Sequence, residues 1–426
     1  MAFPATTDRR WMWALAGFAA GLGTGLVLPA VWGPAKEPSK ELVPGTASDD
    51  PAVAAATVAA EEVGAGAAAT PPPVAQSPPT VRISSLVLYP IKSCAGVSVH
   101  SATVSSRGFV NDRSFLVVDF TGRFLTQRKL PRLALITPTI RVEPPSPMGP
   151  GGDVLVLDGP GVAPLDVPVT TKAGRGKGRS SQVEVIVWRD KVQAVDQGDA
   201  AAGWLATFLE QPGVRLVRMA DDARRPAEPG YTNGPPGLFQ ISFADRYPWL
   251  LASEASLADL NARMAAEAAT PTNAAGTDDP VVAPVYDMRR FRPNVVVAAA
   301  EGPDAAPLPP WVEDTWTRLS VVGARAGTAV VANDGRPDAT APPVVFQVAK
   351  PCDRCKVPTV QPDEGATDAP MVADVYYRTM DKARRVGGKV MFGMNLVCDS
   401  PVGATVSVGD IVSIEVAPAG GANGDV

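Results

Sequence analysis

Residues 344–362, VVFQVAKPCDRCKVPTVQP, set a cysteine pair spaced C-x-x-C between two β-branched runs. Val344–Val348 and Val357–Val360 have the composition of strands packed on one face. Pro351 and Pro358 bracket the thiols, and proline lacks the backbone N–H that a helix interior needs. The pair is therefore expected in a strand or turn. A thioredoxin-type redox pair normally has its first cysteine at a helix N-terminus, where the dipole lowers its pKa. The same spacing also suits half of a zinc site, or two unrelated thiols. A four-cysteine zinc site would require Cys94 and Cys398 to converge on Cys352 and Cys355. A thiolate is also a soft ligand for a redox metal, and one thiolate beside several cations suits an anionic metal cofactor.

Outward from this stretch the texture repeats. Val81–Tyr89, Ser114–Phe120, Leu133–Ile140, Val183–Val187, Val295–Ala299 and Ile411–Val416 are short apolar runs bounded by turn residues, and each reads as a strand. Trp204–Gln211 reads as the start of a short helix. Ser253–Glu267 (SEASLADLNARMAAE) is the clearest helix, with Ser253 at the N-cap position and Ser256 in the first turn. Many strands and few helices predict a mixed α/β, strand-rich, β-barrel-like architecture. Between these elements Asp222–Gly237, Ala268–Val285 and Gly302–Pro310 read as mobile loop insertions.

Composition narrows the chemistry. The 39 basic and 44 acidic residues leave a net charge of −5, which gives no global attraction to nucleic acid. Four cysteines in 426 residues are too few for a disulfide framework and suit a reducing compartment. The single histidine, His100, excludes multi-histidine metal sites and most Ser-His-Asp mechanisms; it reads as a surface residue.

The N-terminal part is different. Trp11–Trp32 (WMWALAGFAAGLGTGLVLPAVW) carries no charge, and as a helix its length of ~33 Å matches a hydrocarbon core of ~30 Å. Tryptophans at both ends suit the interfacial belt, Arg9 and Arg10 precede it, and Gly17, Gly21 and Gly25 form a smooth face. Residues 1–32 are expected to be an uncleaved membrane anchor. Residues 33–80, rich in alanine, proline and acids, read as a disordered tether. Lys172–Arg179 (KAGRGKGR) lacks the strand–loop–helix context of a phosphate loop and reads as a solvated hairpin or a docking patch for an acidic electron donor.

Taken together, YPIKSCAG (89–96), NDRSF (111–115), TQRKLPRLALI (126–136), LLASEASLADLN (250–261), FRPN (291–294), PCDRC (351–355), TVQPDEG (359–365) and FGMN (392–395) resemble, in order, the MOSC family, and within it the eukaryotic amidoxime-reducing branch. The resemblance runs from about Val81 to Val416. It implies an N-terminal β-barrel-like domain over 81–205, a MOSC β-barrel domain over 206–417 and a disordered tail over 418–426. It implies a molybdenum cofactor whose metal takes Cys355 as its protein ligand, with Cys352 a structural neighbour. Lys92, Ser93 and Arg113 match residues that hold the phosphate and pterin, Arg292, Asp353 and Arg354 match further cofactor contacts, and Asn294 matches an orienting group. Two departures stand out. Arg246 and Tyr247 replace small hydroxyl residues, and Asn395 replaces an aromatic cofactor neighbour.

The activity implied is reduction of N-hydroxylated compounds such as amidoximes. No flavin or nicotinamide fingerprint is present, so electrons come from a partner; the resemblance implies a cytochrome b5 and its NADH-cytochrome b5 reductase. The unpaired cysteines favour a cytosol-facing catalytic region, and the resemblance implies the mitochondrial outer membrane as its anchorage. MOSC domains also end the molybdenum-cofactor sulfurases. A cofactor carrier or sulfurase-like module without turnover is thus the second function class, although no pyridoxal-phosphate desulfurase half is visible here.

Overall fold

Strand Val81–Leu88 alternates its side chains across two environments: Val81, Ile83 and Leu86 are buried, while Arg82 and Ser84 are partly open. A register slip between Ile83 and Ser85 lets the apolar set return to the interior. In the computed structural model this strand joins a closed ring of seven. The order is Trp249–Ser253, Val295–Ala299, Val81–Leu88, Ile411–Val416, Trp316–Val322, Val344–Asp353 and Lys389–Cys398, and the last pairs back with the first. The described residues are 80–144, 152–170, 181–269, 284–302, 305–323, 342–386 and 388–417.

Ring closure depends on a glycine. At Gly393, with φ +77°, a Cβ would lie 2.6 Å from the Leu251 carbonyl oxygen, so only a bare backbone lets the two closing strands pair. Inside the ring Trp249, Trp316, Leu319, Phe346, Met394 and Leu396 pack with the inward set of Val81–Leu88. Burying each such side chain contributes roughly 1.5–3 kcal/mol. Trp249–Ser253 and Val295–Ala299 are the parallel pair, joined through helix α2, Glu254–Ala268.

Between the first ring strand, Val81–Leu88, and the other six in the chain, Phe115–Val118, Arg215–Met219, Asp190–Asp196 and Gln182–Val187 form an antiparallel sheet in that order. Phe115–Val118 is buried at every position because both faces are covered. Phe115 and Val117 meet Leu205 and Phe208 of helix α1, Asp199–Leu209, while Leu116 and Val118 pack with Val185 and Val192. A meander of Thr137–Glu143, Gly152–Gly159 and Val162–Pro168 adds to the α1 side. The strand that opens the first of the two sequence regions, Val81–Leu88, is thus hydrogen-bonded into the barrel of the second.

Several local expectations need correction. Pro131–Leu135 is a 3-10 turn, and the strand begins only at Thr137. Val357–Thr359 is likewise a 3-10 turn, with Pro358 early in it and only Val360–Gln361 extended. The helix expected from Trp204 starts five residues earlier, directly after Gly198. Ser253 sits at the N-cap of α2 without a side-chain cap; Ser256 instead donates to Glu313 Oε2 at 2.9 Å and accepts from the Trp311 backbone N–H at 2.8 Å. Helix α3, Pro370–Arg384, was not expected and packs Val375, Tyr376 and Met380 against Leu260, Met264 and Phe392. Residues 222–237 are no detached insertion: Arg225, 2% exposed, donates to Asp190 and to the Ser242 and Ala244 carbonyls, clamping the segment down. No helix among the described residues is long and apolar enough to cross a membrane. The anchor at 1–32, the tether up to residue 79, the basic loop at 172–179 and the tail at 418–426 lie outside the described residues, as do 270–283 and 303–304 of the other two insertions.

Candidate functional site

The YPIKSC segment leaves the barrel at Leu88 and turns back on itself. Tyr89 N–H donates to Asp112 Oδ1 at 2.9 Å, and Arg113 N–H donates to the Tyr89 carbonyl at 2.7 Å. This crossing forces unusual backbone. Ser93, Arg113 and Arg292 stand at φ +69°, +47° and +59°. Left-handed non-glycine residues cost about 1–3 kcal/mol each and persist where the surroundings over-determine them. Gly96 is needed for closeness: a Cβ there would lie 2.6 Å from the Tyr89 ring.

Both arginines lie over that ring, with the Arg113 and Arg292 guanidinium carbons 4.6 and 4.2 Å from its centroid. Burial pushes the Tyr89 hydroxyl up to about 12, against the opposing pull of Arg292 and Arg113, so it stays neutral at ordinary pH. Burial likewise lowers Arg292, to about 10, partly offset by Tyr89. Arg292 Nη1 donates to the Cys94 carbonyl at 2.5 Å, while its Nη2 is buried without a protein partner. Arg354 repeats the pattern: Nη1 donates to Cys352 Sγ at 3.2 Å, Nη2 to the Phe291 carbonyl at 2.8 Å, and Nε is orphaned. A buried unpaired donor costs about 1–3 kcal/mol, so these two point to an acceptor supplied from outside the chain.

Asn294 is fully buried, and its amide is committed to protein. Its Oδ1 accepts from Arg113 Nη1 at 2.7 Å and Leu250 N–H at 3.3 Å, while Nδ2 donates to Asp112 Oδ1 at 2.9 Å and the Val87 carbonyl at 3.2 Å. Lys92 is buried too. Its ammonium donates to the Phe243 carbonyl at 2.9 Å and pairs with Asp245. Burial pulls Lys92 below its ordinary value, and Asp245 opposes that. For Asp245 burial alone would raise the carboxyl, but Lys92, Trp188 and Arg113 outweigh it and hold it well below the usual range. Asp245 is enclosed by protein mass yet opens on a cavity, where 61% of its side chain is accessible.

That cavity, of about 1050 Å³, gathers every site residue expected from sequence: Lys92, Ser93, Arg113, Arg292, Asn294, Asp353, Arg354, Cys355 and Asn395. Its wall holds eight lysines and arginines against four carboxylates, which makes it a receptor for an anion. Cys355 is exposed there; Cys352 is partly covered, and burial raises its thiol despite the pull of Arg354. Of the departures, Arg246 Nη1 donates to Asp353 Oδ1 at 2.9 Å, Tyr247 turns inward and its hydroxyl donates to the Glu228 carbonyl at 3.2 Å, and Asn395 Nδ2 donates to the Pro351 carbonyl at 3.4 Å. Sequence reading missed Trp188, Arg225 and Asp245, whose only signal was an apolar or charged residue in a turn. His100 is exposed and outside the cavity. Cys94 is buried, with its thiol pushed up to about 12 by burial, and among the described residues no three His, Cys, Asp or Glu side chains converge to hold a metal.

The family model for the MOSC N-terminal beta barrel domain matches residues 80–212, and that for the MOSC domain matches residues 239–413. The chain is 29% identical over 344 residues to mitochondrial amidoxime-reducing component 1 of Homo sapiens, covering 78% of this chain and 82% of that protein. It is 29% identical over 309 residues to mitochondrial amidoxime reducing component 2 of Bos taurus, covering 71% and 74%. Against the molybdenum cofactor sulfurase of Homo sapiens it is 25% identical over 318 residues, covering 74% of this chain but 30% of that protein. With a strand-rich fold, a seven-stranded barrel and both domain models matched in sequence, the chain belongs to the MOSC family.

Proposed function

We propose that the chain is a molybdenum-cofactor-dependent oxidoreductase that reduces N-hydroxylated compounds, amidoximes among them. One observation carries this reading: the accessible thiol of Cys355 shares a cavity with Lys92, Arg113, Arg292 and Arg354. A pterin-dithiolene molybdenum cofactor fits that donor set. It needs a soft protein ligand for its metal, charge-assisted donors for its phosphate and hydrogen-bond donors along the pterin. The orphaned Nη2 of Arg292 and Nε of Arg354 are donors of that kind.

When bound, the cofactor supplies the two-electron removal of oxygen from nitrogen, and the protein supplies binding, orientation and electrostatics. In this reading Cys355 is the thiolate ligand. Lys92, Ser93 and Arg113 hold the phosphate, Arg292 and Arg354 hold the rest of the anion, and Asn294 positions Arg113. Asp353 and Asn395 line the same space beside the ligand, with Arg246 braced on Asp353. Substrate reaches the thiol side through the open cavity.

Electrons come from a cytochrome b5 reduced by its NADH-dependent reductase. Trp11–Trp32 tethers the catalytic region to a membrane, the mitochondrial outer membrane with the catalytic part facing the cytosol, and so raises the local concentration of a membrane-bound donor. The relatives named for amidoxime reduction support the activity and a mitochondrial location. The sulfurase relative supports the second reading, a cofactor carrier without turnover. Benzamidoxime reduction by the full-length chain with reconstituted cytochrome b5 and its reductase separates the two. Turnover is expected, whereas a chain loaded with molybdenum but inactive overturns the reductase reading in favour of the carrier.

A further inference from the structure

Two residues, Trp188 and Arg189, join strands Gln182–Val187 and Asp190–Asp196, whose register closes at Val187 opposite Asp190. Trp188 stands at φ +58°. A two-residue hairpin turn with positive φ only at its first central position favours glycine there, and a bulky aromatic is strained. Burial does not explain the tryptophan, because its side chain is 46% exposed at the edge of the cavity. Its contacts do. The indole leans on Phe124 at 5.1 Å, carries the Arg128 guanidinium at 4.8 Å, and donates Nε1–H to Asp245 Oδ1 at 2.9 Å. The same Oδ1 accepts from the Lys92 ammonium. Asp245 is thus gripped from both sides, by an indole N–H and by an ammonium.

We infer that Trp188 is a positioning residue for Lys92, acting through Asp245. The inference rests on the proposal that Lys92 holds the cofactor's phosphate. A buried ammonium serves an anion only while it is charged and aimed. The charged groups that bear most on Lys92 are Asp245, Arg225 and Arg113, and of these Asp245 favours its charged form. The neighbouring carboxylates are engaged elsewhere, Asp190 by Arg225 and Asp112 by Arg113 and Asn294, so neither replaces Asp245. The indole N–H fixes where the carboxylate sits, and the strained turn is what brings the indole within reach.

The test measures loss of molybdopterin from the full-length loaded chain after dilution, by fluorescence of the released and oxidised pterin, across pH. Trp188→Phe keeps the ring and removes the N–H. It is expected to lose cofactor about 5-fold faster, the scale of one ordinary net hydrogen bond at a half-exposed position. The pH at which retention fails should move down, because Lys92 then gives up its proton more readily. Asp245→Asn should act in the same direction and more strongly, and the double variant should be no faster than Asp245→Asn alone, since the two residues act in series. Trp188→Gly, which relieves the turn, should lose cofactor as fast as Trp188→Phe without a lower thermal midpoint. A Trp188→Phe chain that retains cofactor like wild type, or a double variant whose effects simply add, overturns the inference. Wild-type chain that carries no molybdopterin overturns the underlying reading, and the inference with it.

Discussion

Arg113 Nη1 meets Asn294 Oδ1 at 2.7 Å across 181 residues of chain. The bond ties the loop after the first barrel strand to the start of strand Val295–Ala299, and Asp112 holds both partners, through Oδ2 to Arg113 and Oδ1 to Asn294. The guanidinium is therefore aimed by the barrel itself.

Asn294→Ala removes the acceptor for Arg113 and leaves Asp112, the Val87 carbonyl and the Leu250 N–H short of a partner. Buried groups left unsatisfied cost about 1–3 kcal/mol each, with partial relief by relaxation. A loss of about 2–4 kcal/mol in urea unfolding is expected, together with lower cofactor content. A loss below about 1 kcal/mol would show that the network does not brace the site.

The two thiols should separate cleanly. Cys355 is exposed, so Cys355→Ala should change the stability of the cofactor-free chain by less than about 0.5 kcal/mol, while abolishing amidoxime turnover and protein ligation of molybdenum and so lowering the molybdenum content. Cys352→Ala should keep appreciable activity, because Cys352 Sγ is engaged by Arg354. Elemental analysis and turnover of both variants check this; the opposite pattern would assign the ligand to Cys352.

Gly393→Ala places a Cβ 2.6 Å from the Leu251 carbonyl oxygen on a backbone at φ +77°. Both the clash and the conformation are unfavourable, so a loss of about 3 kcal/mol or more is expected from thermal or urea unfolding. A near-neutral result would mean that the closing strands can part without cost.

Asp245 is held below the ordinary carboxyl value of 3.8 because Lys92, Trp188 and Arg113 outweigh its burial. A depressed carboxyl contributes stability that is present above its unfolded value and is lost as pH falls through the folded one. The difference in thermal midpoint between wild type and Asp245→Asn, both without cofactor, should be constant near pH 6 and shrink as pH drops below 3.8. A difference that instead grows toward acid contradicts the Lys92–Asp245 pairing.

Much of the barrel was legible because its strands are short apolar, β-branched runs bounded by turn residues: Val295–Ala299 and Ile411–Val416 appear at their expected bounds. The candidate site residues came from short ordered motifs, and all nine line one cavity. Other features carried no local signal. Helix α3 has a Pro370 start but no capping side chain, and its apolar face is defined only by α2 and Phe392. Pro131 and Pro358 turned two apparent strands into 3-10 turns. Trp188 and Asp245 matter through each other and through Lys92, a relation made by the fold across 57 and 153 residues of separation.

The central claim is that the Cys355 sulfur binds molybdenum in the cavity it shares with Lys92, Arg113 and Arg292. Molybdenum K-edge X-ray absorption of the full-length chain tests it most directly, comparing wild type with Cys355→Ala reloaded with cofactor. The account predicts molybdenum in the wild type with a protein sulfur among its neighbours, and fewer sulfur neighbours in the variant. An identical sulfur shell in both proteins, or zinc in place of molybdenum, would contradict it.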